Sequence, residues 1–146
     1  MDYEIVSLEQ KTVVGVSAIT SNNDPKMSEV IGGLWEKLYQ GGVSISIKNK
    51  LNEHAIGLYS DYAKDKYCVT VGNEVSKAEN GELTVKTIPA GKYAKFSVHG
   101  HMVKAVAAAW DKIWKMDLNR SFAADFEEYL NSDWENADID IYIALK

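Results

Sequence analysis

The strongest constraint on the fold of this chain of 146 residues is an internal repeat. Two segments share one residue pattern, because residues 35–39 read WEKLY and residues 110–114 read WDKIW. Each segment belongs to a run with apolar residues at helical spacing, which predicts an amphipathic helix. Two strand-like runs precede each predicted helix and two follow it. Strand segments also match between the halves, namely 14–17 with 94–97 and 67–71 with 139–143.

The repeat also predicts how the two halves combine. A unit of two strands, one helix and two strands has too little apolar surface to form a core alone. The halves, at about 3–74 and 83–145, should therefore share one antiparallel sheet with both helices on one face. We expect a single α+β domain, 1–146, whose halves are separated by the polar segment 73–81. A pseudo-two-fold axis would leave a cleft between the helices, where a ligand could bind.

Composition and charge argue against several classes of function. The net charge is -5 and Lys and Arg form no cluster, so direct nucleic-acid binding is not expected. No apolar run approaches roughly 18 residues and the N-terminus lacks a signal pattern, so we expect no membrane segment. The only cysteine, Cys68, cannot form an internal disulfide, which favours a cytoplasmic location. An acidic chain with 8 Tyr and 4 Trp favours cationic, flat or apolar small molecules.

No motif predicts a cofactor or a metal. A glycine-rich phosphate loop and the Gly-x-Ser-x-Gly motif are both absent. His99 and His101 flank Gly100, but no third ligand residue lies at a suitable spacing. We therefore interpret these histidines as polar residues at the entry to the second helix.

The strand-like run DFEEY, residues 125–129, carries the main candidate for a ligand site. In a strand, Glu127 and Tyr129 share one face, while Phe126 and Glu128 share the other. Counting apolar residues puts the face of Phe126 in the core and leaves Glu127 exposed, as most glutamates are. If Glu127 instead lies in an apolar interior, its burial indicates a ligand-binding group. The residue pattern leaves both alternatives open, with Glu128 as the second candidate.

Taken together, these features resemble the GyrI-like family, the effector-binding domain found alone and fused to AraC- and MerR-type regulators. The resemblance spans nearly the full chain, and the chain resembles the stand-alone members. It implies an SHS2-type duplicated fold and an aromatic cleft with a buried glutamate, which Glu127 matches. The motifs that carry it are Val13-Val14-Gly15, Leu34-Trp35, Gly57-Leu58-Tyr59-Ser60-Asp61-Tyr62, Pro89-Ala90-Gly91-Lys92-Tyr93, Phe126-Glu127-Glu128-Tyr129 and Asp140-Ile141-Tyr142-Ile143.

The resemblance also implies a set of ligand-binding residues. Trp35 and Trp110 occupy equivalent places on the two helices, where they could form the walls of a cleft or simply anchor the core. Tyr142 alternates with Ile141 and Ile143, so its ring should lie on the opposite face, free to donate a hydrogen bond or merely to pack. The predicted ligand-binding residues are Glu127, Trp110, Tyr142, Trp35, Tyr59, Tyr129 and Tyr93.

The function implied by the resemblance is binding of amphipathic, cationic or polycyclic aromatic compounds, as in a multidrug receptor or sequestering protein. The alternative is a hydrolase that opens strained cyclopropane rings of DNA-alkylating natural products. In that case Glu127 and Tyr142, or Tyr59, would be catalytic, because burial raises a carboxyl pKa toward that of a general acid or base. A protein-interaction role such as gyrase inhibition is implied only by the family name. We expect a monomer or a weak homodimer.

Overall fold

One curled antiparallel sheet of eight strands, a half-barrel, carries three helices in the computed structural model, which describes residues 1–79 and 81–146. Asn80, within the predicted boundary segment, lies outside the described residues. None of the helices in the described ranges is long and apolar enough to span a membrane. The elements are β1 (Glu4–Leu8), β2 (Lys11–Ser21), α1 (Met27–Tyr39), α2 (Val43–Ser46), β3 (Lys50–Ala63), β4 (Lys66–Val75), β5 (Thr84–Ile88), β6 (Gly91–Gly100), α3 (Met102–Trp114), β7 (Arg120–Tyr129) and β8 (Ala137–Leu145).

The strand order β1-β6-β8-β7-β3-β4-β2-β5 shows how the halves share the sheet. Exchanging β1 to β4 with β5 to β8 reverses this order, as a two-fold axis between β3 and β7 requires. Every neighbouring pair is antiparallel. The first strand of each half pairs with the second strand of the other half, because β1 pairs with β6 and β5 pairs with β2. The predicted α+β fold, with duplicated units in one sheet, is confirmed.

Both faces of the sheet are covered by apolar side chains. On the helix face, Leu38 of α1 packs with residues of β2 and β4, and Ile113 of α3 packs with residues of β6 and β8. On the opposite face, Leu58 and Phe126 belong to a separate core. Neighbouring residues of one strand are therefore buried on opposite sides, so apolar counting could not show which face of β7 is buried.

Helix α3, the second of the two predicted helices, begins at one of the predicted polar entry residues. His101 is the N-cap of α3, and its Nδ1 accepts hydrogen bonds from the backbone N–H groups of Val103 and Lys104, both at 3.3 Å. These bonds occupy donors that the first turn of a helix otherwise leaves without partners. The capped α3 and the opposite helix α1 lie over the two halves of the sheet and leave its centre uncovered between them.

Candidate functional site

A cleft of about 1520 Å³ opens between α1 and α3 above the centre of the sheet. Ligand pockets usually enclose roughly 300–1,000 Å³, so this cleft has room for a compound of several rings. Strands β3 and β7, which flank the pseudo-two-fold axis, form its floor. Its walls include Met27, Ile31 and Trp35 of α1 and Met102, Val106 and Trp110 of α3.

Glu127 lies at the middle of this floor. It is on β7, directly opposite Gly57 of β3, and is only 2% exposed. A Cβ atom on Gly57 would lie 3.1 Å from Oε1 of Glu127 and 3.4 Å from Cζ2 of Trp35. Because glycine has no side chain, position 57 leaves the space beside the Glu127 carboxyl group open.

Three aromatic side chains donate hydrogen bonds to the Glu127 carboxyl group. The Tyr59 hydroxyl and the Trp110 Nε1–H donate to Oε2 at 3.0 and 2.6 Å. The Tyr129 hydroxyl donates to Oε1 at 2.7 Å. None of the ion pairs found among the described residues includes Glu127. The carboxyl group is therefore held in a fixed position by neutral donors.

Burial changes the acidity of this cluster. It raises the pKa of Glu127 above the ordinary value of 4.5, and the three hydrogen bonds oppose this rise without cancelling it. The pKa values of Tyr59 and Tyr129 are raised well above 10.0, first by burial and then by the Glu127 carboxylate. Both tyrosines therefore remain protonated and continue to act as donors. A positive charge in the cleft would stabilise the ionised form of Glu127 and lower its pKa again.

A second acid on the same face of β7 has a different environment. Asp125 is fully buried, and its Oδ2 accepts hydrogen bonds from Arg120 Nη2 and from the Tyr62 hydroxyl, both at 2.6 Å. Its Oδ1 accepts the backbone N–H of Ala144 at 2.9 Å. The protein thus supplies Asp125 with its own cation, whereas Glu127 has only neutral partners.

Aromatic rings surround the Glu127 carboxyl group and continue to the mouth of the cleft. Trp35 meets Tyr129 edge to face at 5.1 Å, and Tyr59 meets Trp110 in the same way at 5.5 Å. Ring faces around a buried negative charge attract cations and fused rings without requiring directional hydrogen bonds. Exposed apolar side chains that line the mouth are Tyr39, Val103, Trp114, Phe122, Leu130 and Trp134.

The structure brings together five of the predicted ligand-binding residues and separates the other two from them. Glu127, Trp110, Trp35, Tyr59 and Tyr129 all line the cleft, and Tyr59, Trp110 and Tyr129 contact Glu127 directly. Glu128, the second candidate, lies on the other face, where its Oε2 is 2.9 Å from Nδ1 of His54.

Two predicted site residues, Tyr142 and Tyr93, lie outside the cleft. Both belong to the core on the opposite face of the sheet. Tyr142 stacks on Phe126 at 4.5 Å, and the Tyr93 hydroxyl donates to the carbonyl oxygen of Pro89 at 2.6 Å. The alternation of Tyr142 with its isoleucine neighbours was predicted correctly, but the cleft shares the isoleucine face. Tyr142 therefore cannot act with Glu127 on one bound molecule.

Sequence reasoning missed the rim of the cleft, although the repeat contained a signal for it. Tyr39 and Trp114 are the last residues of the two matching pentapeptides, and they lie on opposite helices at the mouth. It also missed Tyr67, which lines the cleft and meets Tyr59 edge to face at 5.8 Å. For Gly57, whose missing side chain leaves room for the acid, the only signal was its place in a matching motif.

Comparison with solved structures identifies proteins of the same fold. SAV2435 bound to tetraphenylphosphonium has a TM-score of 0.85 at 21% identity, over 100% of this chain and 94% of that chain. A protein from Staphylococcus aureus MU50 has a TM-score of 0.80 at 22% identity, over 100% and 99% of the two chains. The integron cassette protein VCH_CASS2 of Vibrio cholerae has a TM-score of 0.79 at 26% identity, over 99% and 95%.

Comparison of sequences gives the family. No curated protein sequence matches the chain significantly. A family profile, Cass2, described as integron-associated effector binding protein, matches residues 4–145, which is nearly the whole chain. The resemblance to GyrI-like proteins inferred from the sequence is confirmed. The chain therefore belongs to the Cass2 family of integron-associated effector binding proteins.

Proposed function

We propose that this protein binds amphipathic cationic compounds with several aromatic rings, as a multidrug-type receptor or sequestering protein. The observation that carries the proposal is the Glu127 carboxyl group, buried at the floor of an aromatic cleft with no cationic partner among its contacts. An ionised carboxylate in such surroundings is unfavourable unless a positive charge joins it. A ligand cation is the partner that completes the site.

The comparison of the two buried acids supports this reading. Asp125 and Glu127 lie on one face of one strand, yet only Asp125 has an ion-pair partner, Arg120. The fold can therefore place a cation beside an acid of β7 when a structural pair is needed. The absence of such a partner in the contacts of Glu127 favours a binding role over a structural one.

The hydrogen bonds of Glu127 also bear on the kind of cation. Two carboxylate oxygens offer about four acceptor positions, and Tyr59, Trp110 and Tyr129 occupy three of them. A ligand cation at this site is therefore recognised by its charge and by the surrounding rings more than by its own N–H groups. SAV2435, which has the same fold, binds tetraphenylphosphonium, a cation of four aromatic rings without any N–H or O–H group.

The test uses two ions of the same shape and opposite charge. Tetraphenylphosphonium and tetraphenylborate are titrated into the protein, and binding is followed by the intrinsic fluorescence of its four tryptophans, all of which line the cleft. We expect the cation to bind and the anion to bind at least about tenfold more weakly. Glu127→Gln should remove most of this difference. Equal affinity for both ions, or an unchanged preference in Glu127→Gln, would contradict the proposal.

A second candidate function is hydrolytic opening of a strained cyclopropane ring, and the raised pKa of Glu127 favours it. A carboxyl group with a raised pKa, held by the hydroxyls of Tyr59 and Tyr129, can take a proton from water or give one to carbon. The ring C–C bond breaks, the water oxygen bonds to one carbon and a proton is added to the other. Incubation with a cyclopropane-containing alkylating agent should then give a product heavier by one water. The same product rate in Glu127→Gln would exclude this role.

A further inference from the structure

Asn73 is a second buried polar side chain of the cleft, and one of its polar atoms has no partner. It lies on β4, lines the cleft and is 3% exposed. Its Nδ2 donates to the backbone carbonyl oxygen of His54 at 3.0 Å, which fixes the orientation of the amide group. Its Oδ1 is buried and accepts no hydrogen bond within residues 1–79 and 81–146. A buried acceptor without a donor destabilises the folded protein.

The equivalent position in the other half of the sheet is apolar. Asn73 pairs with Val14 of β2, and Val14 matches Ala94 in the internal repeat. Ala94 pairs with Ile143, which is therefore the counterpart of Asn73 in the other half. This correspondence differs by two residues from the one predicted by matching 67–71 with 139–143, because the strand pairing aligns Val71 with Ile141. Ile143 is fully buried in the apolar core beneath α3. The Nδ2 group of Asn73 serves the fold through its bond to His54, but no contact among the described residues accounts for the buried Oδ1.

Asn73 is close enough to Glu127 for one ligand to reach both. Asn73 pairs with Ala55 of β3, and Ala55 pairs with Tyr129 of β7, whose hydroxyl contacts Glu127. Two strand spacings separate the backbones of Asn73 and Tyr129, which is about 10 Å. A cation with three aromatic rings spans this distance. Both residues line the same cleft, so one ligand of the proposed class is long enough to reach both.

We propose that Asn73 Oδ1 forms a second polar subsite, which accepts a hydrogen bond from an N–H or O–H group of the bound ligand. The inference rests on the proposed cation binding at Glu127 and adds a chemical requirement to it. Glu127 recognises the positive charge, and Asn73 recognises a donor at the periphery of the same molecule. Asn73 Oδ1 is shielded from bulk water. A ligand that enters the cleft must therefore displace neighbouring side chains before its donor reaches Oδ1. The ligand class is a multi-ring cation with an amino or hydroxyl substituent.

The test compares two triarylmethyl cations, one with N–H donors and one in which methyl groups replace the N–H hydrogens. Pararosaniline carries three NH₂ groups, and crystal violet carries dimethylamino groups in their place. Both are titrated into wild type and into Asn73→Leu, and the ratio of the two dissociation constants is taken for each protein, so that a general change in affinity cancels. We expect the preference for pararosaniline over crystal violet to fall about three- to tenfold in Asn73→Leu, the effect of losing one hydrogen bond.

Two further variants complete the test. Asn73→Ala also removes the acceptor and should lower the preference to a similar extent, which covers the case in which Asn73→Leu does not fold. Thr70→Val removes a buried hydroxyl from the opposite face of β4 and should leave the ratio unchanged.

The outcomes distinguish this inference from the proposed function. The same dye ratio in wild type and in Asn73→Leu or Asn73→Ala overturns the subsite while leaving cation binding at Glu127 in place. Dye binding that is unaffected by Glu127→Gln overturns the proposed function, and the subsite with it.

Discussion

Replacing Gly57 with alanine should weaken cation binding without destabilising the fold. The new Cβ would lie 3.1 Å from Glu127 Oε1, which is closer than an ordinary van der Waals contact, so the carboxyl group must move by a few tenths of an ångström. The contact with Trp35 Cζ2, at 3.4 Å, is already of ordinary length. Gly57 does not have a positive φ, so alanine introduces no backbone strain. The perturbation is therefore confined to the position of Glu127.

The size of the effect follows from the bond that this movement disturbs. Oε1 of Glu127 accepts the Tyr129 hydroxyl at 2.7 Å, a hydrogen bond to a charged group worth about 1.5–3 kcal/mol. Partial loss of this bond, about 1 kcal/mol, should reduce affinity for tetraphenylphosphonium about fivefold. Alanine also restricts the unfolded chain, which stabilises the protein by about 0.4–1 kcal/mol and offsets the weakened bond. The free energy of unfolding should therefore change by less than about 1 kcal/mol.

The assay combines tryptophan fluorescence titration with urea unfolding of the same samples. Gly33→Ala is the control, because its Cβ would meet nothing within 4 Å and glycine at this helical site costs about 1 kcal/mol relative to alanine. It should stabilise the protein and leave affinity unchanged. Wild-type affinity in a folded Gly57→Ala protein would refute the view that the open space beside the Glu127 carboxyl group is needed for binding.

Three further predictions concern the acid and the tyrosines. Affinity for tetraphenylphosphonium should fall as the pH is lowered through the Glu127 pKa, because the protonated carboxyl group has no charge. Burial places this pKa above 4.5. Titrations in a series of buffers should show the fall in wild type and no pH dependence in Glu127→Gln. The stability of the ligand-free protein should depend on pH in the opposite direction, because the folded state binds the Glu127 proton more tightly than the unfolded state does. The contribution of Glu127 to stability is therefore lost as the pH rises from 4.5 through the folded-state pKa. Equal pH slopes in thermal unfolding of wild type and Glu127→Gln would contradict the assignment. Tyr129→Phe should lower cation affinity about tenfold through loss of a charged hydrogen bond, whereas Tyr142→Phe should not change it, and equal effects of the two would contradict the assignment of the faces.

The sequence predicted the fold because the repeat is visible in local patterns. Trp35 and Trp110 mark equivalent helices, and four strand-like runs accompany each of them. The pairing of β1 with β6 and of β5 with β2 could not be predicted, because it joins strands from different halves and leaves no trace in periodicity.

The site could be predicted only in part. Alternation along β7 correctly separated Glu127 from Phe126, but it could not show that both faces are buried, which depends on where the helices pack. The resemblance to a family predicted Glu127 as a buried site residue, whereas the apolar pattern predicted that its side chain is exposed. Alternation along β8 correctly put Tyr142 on the face opposite Ile141 and Ile143, but it could not show that the cleft lies on the isoleucine face.

The position of Glu127 on the pseudo-two-fold axis explains why the cleft has one acid and not two. When equivalent strand pairs of the two halves are aligned, Gly57 is the counterpart of Glu127. These two residues are also directly paired between β3 and β7. A glutamate at both positions would put two carboxyl groups within a few ångströms, and one of them would hold a proton. Such a pair would bind a single cation less strongly than one ionised carboxylate flanked by glycine. A symmetric sheet thus forms a site for one positive charge only because its two halves differ at the centre. The pairs that establish this correspondence are Val16 with Val71 and Val71 with Gly57 in one half, and Phe96 with Ile141 and Ile141 with Glu127 in the other.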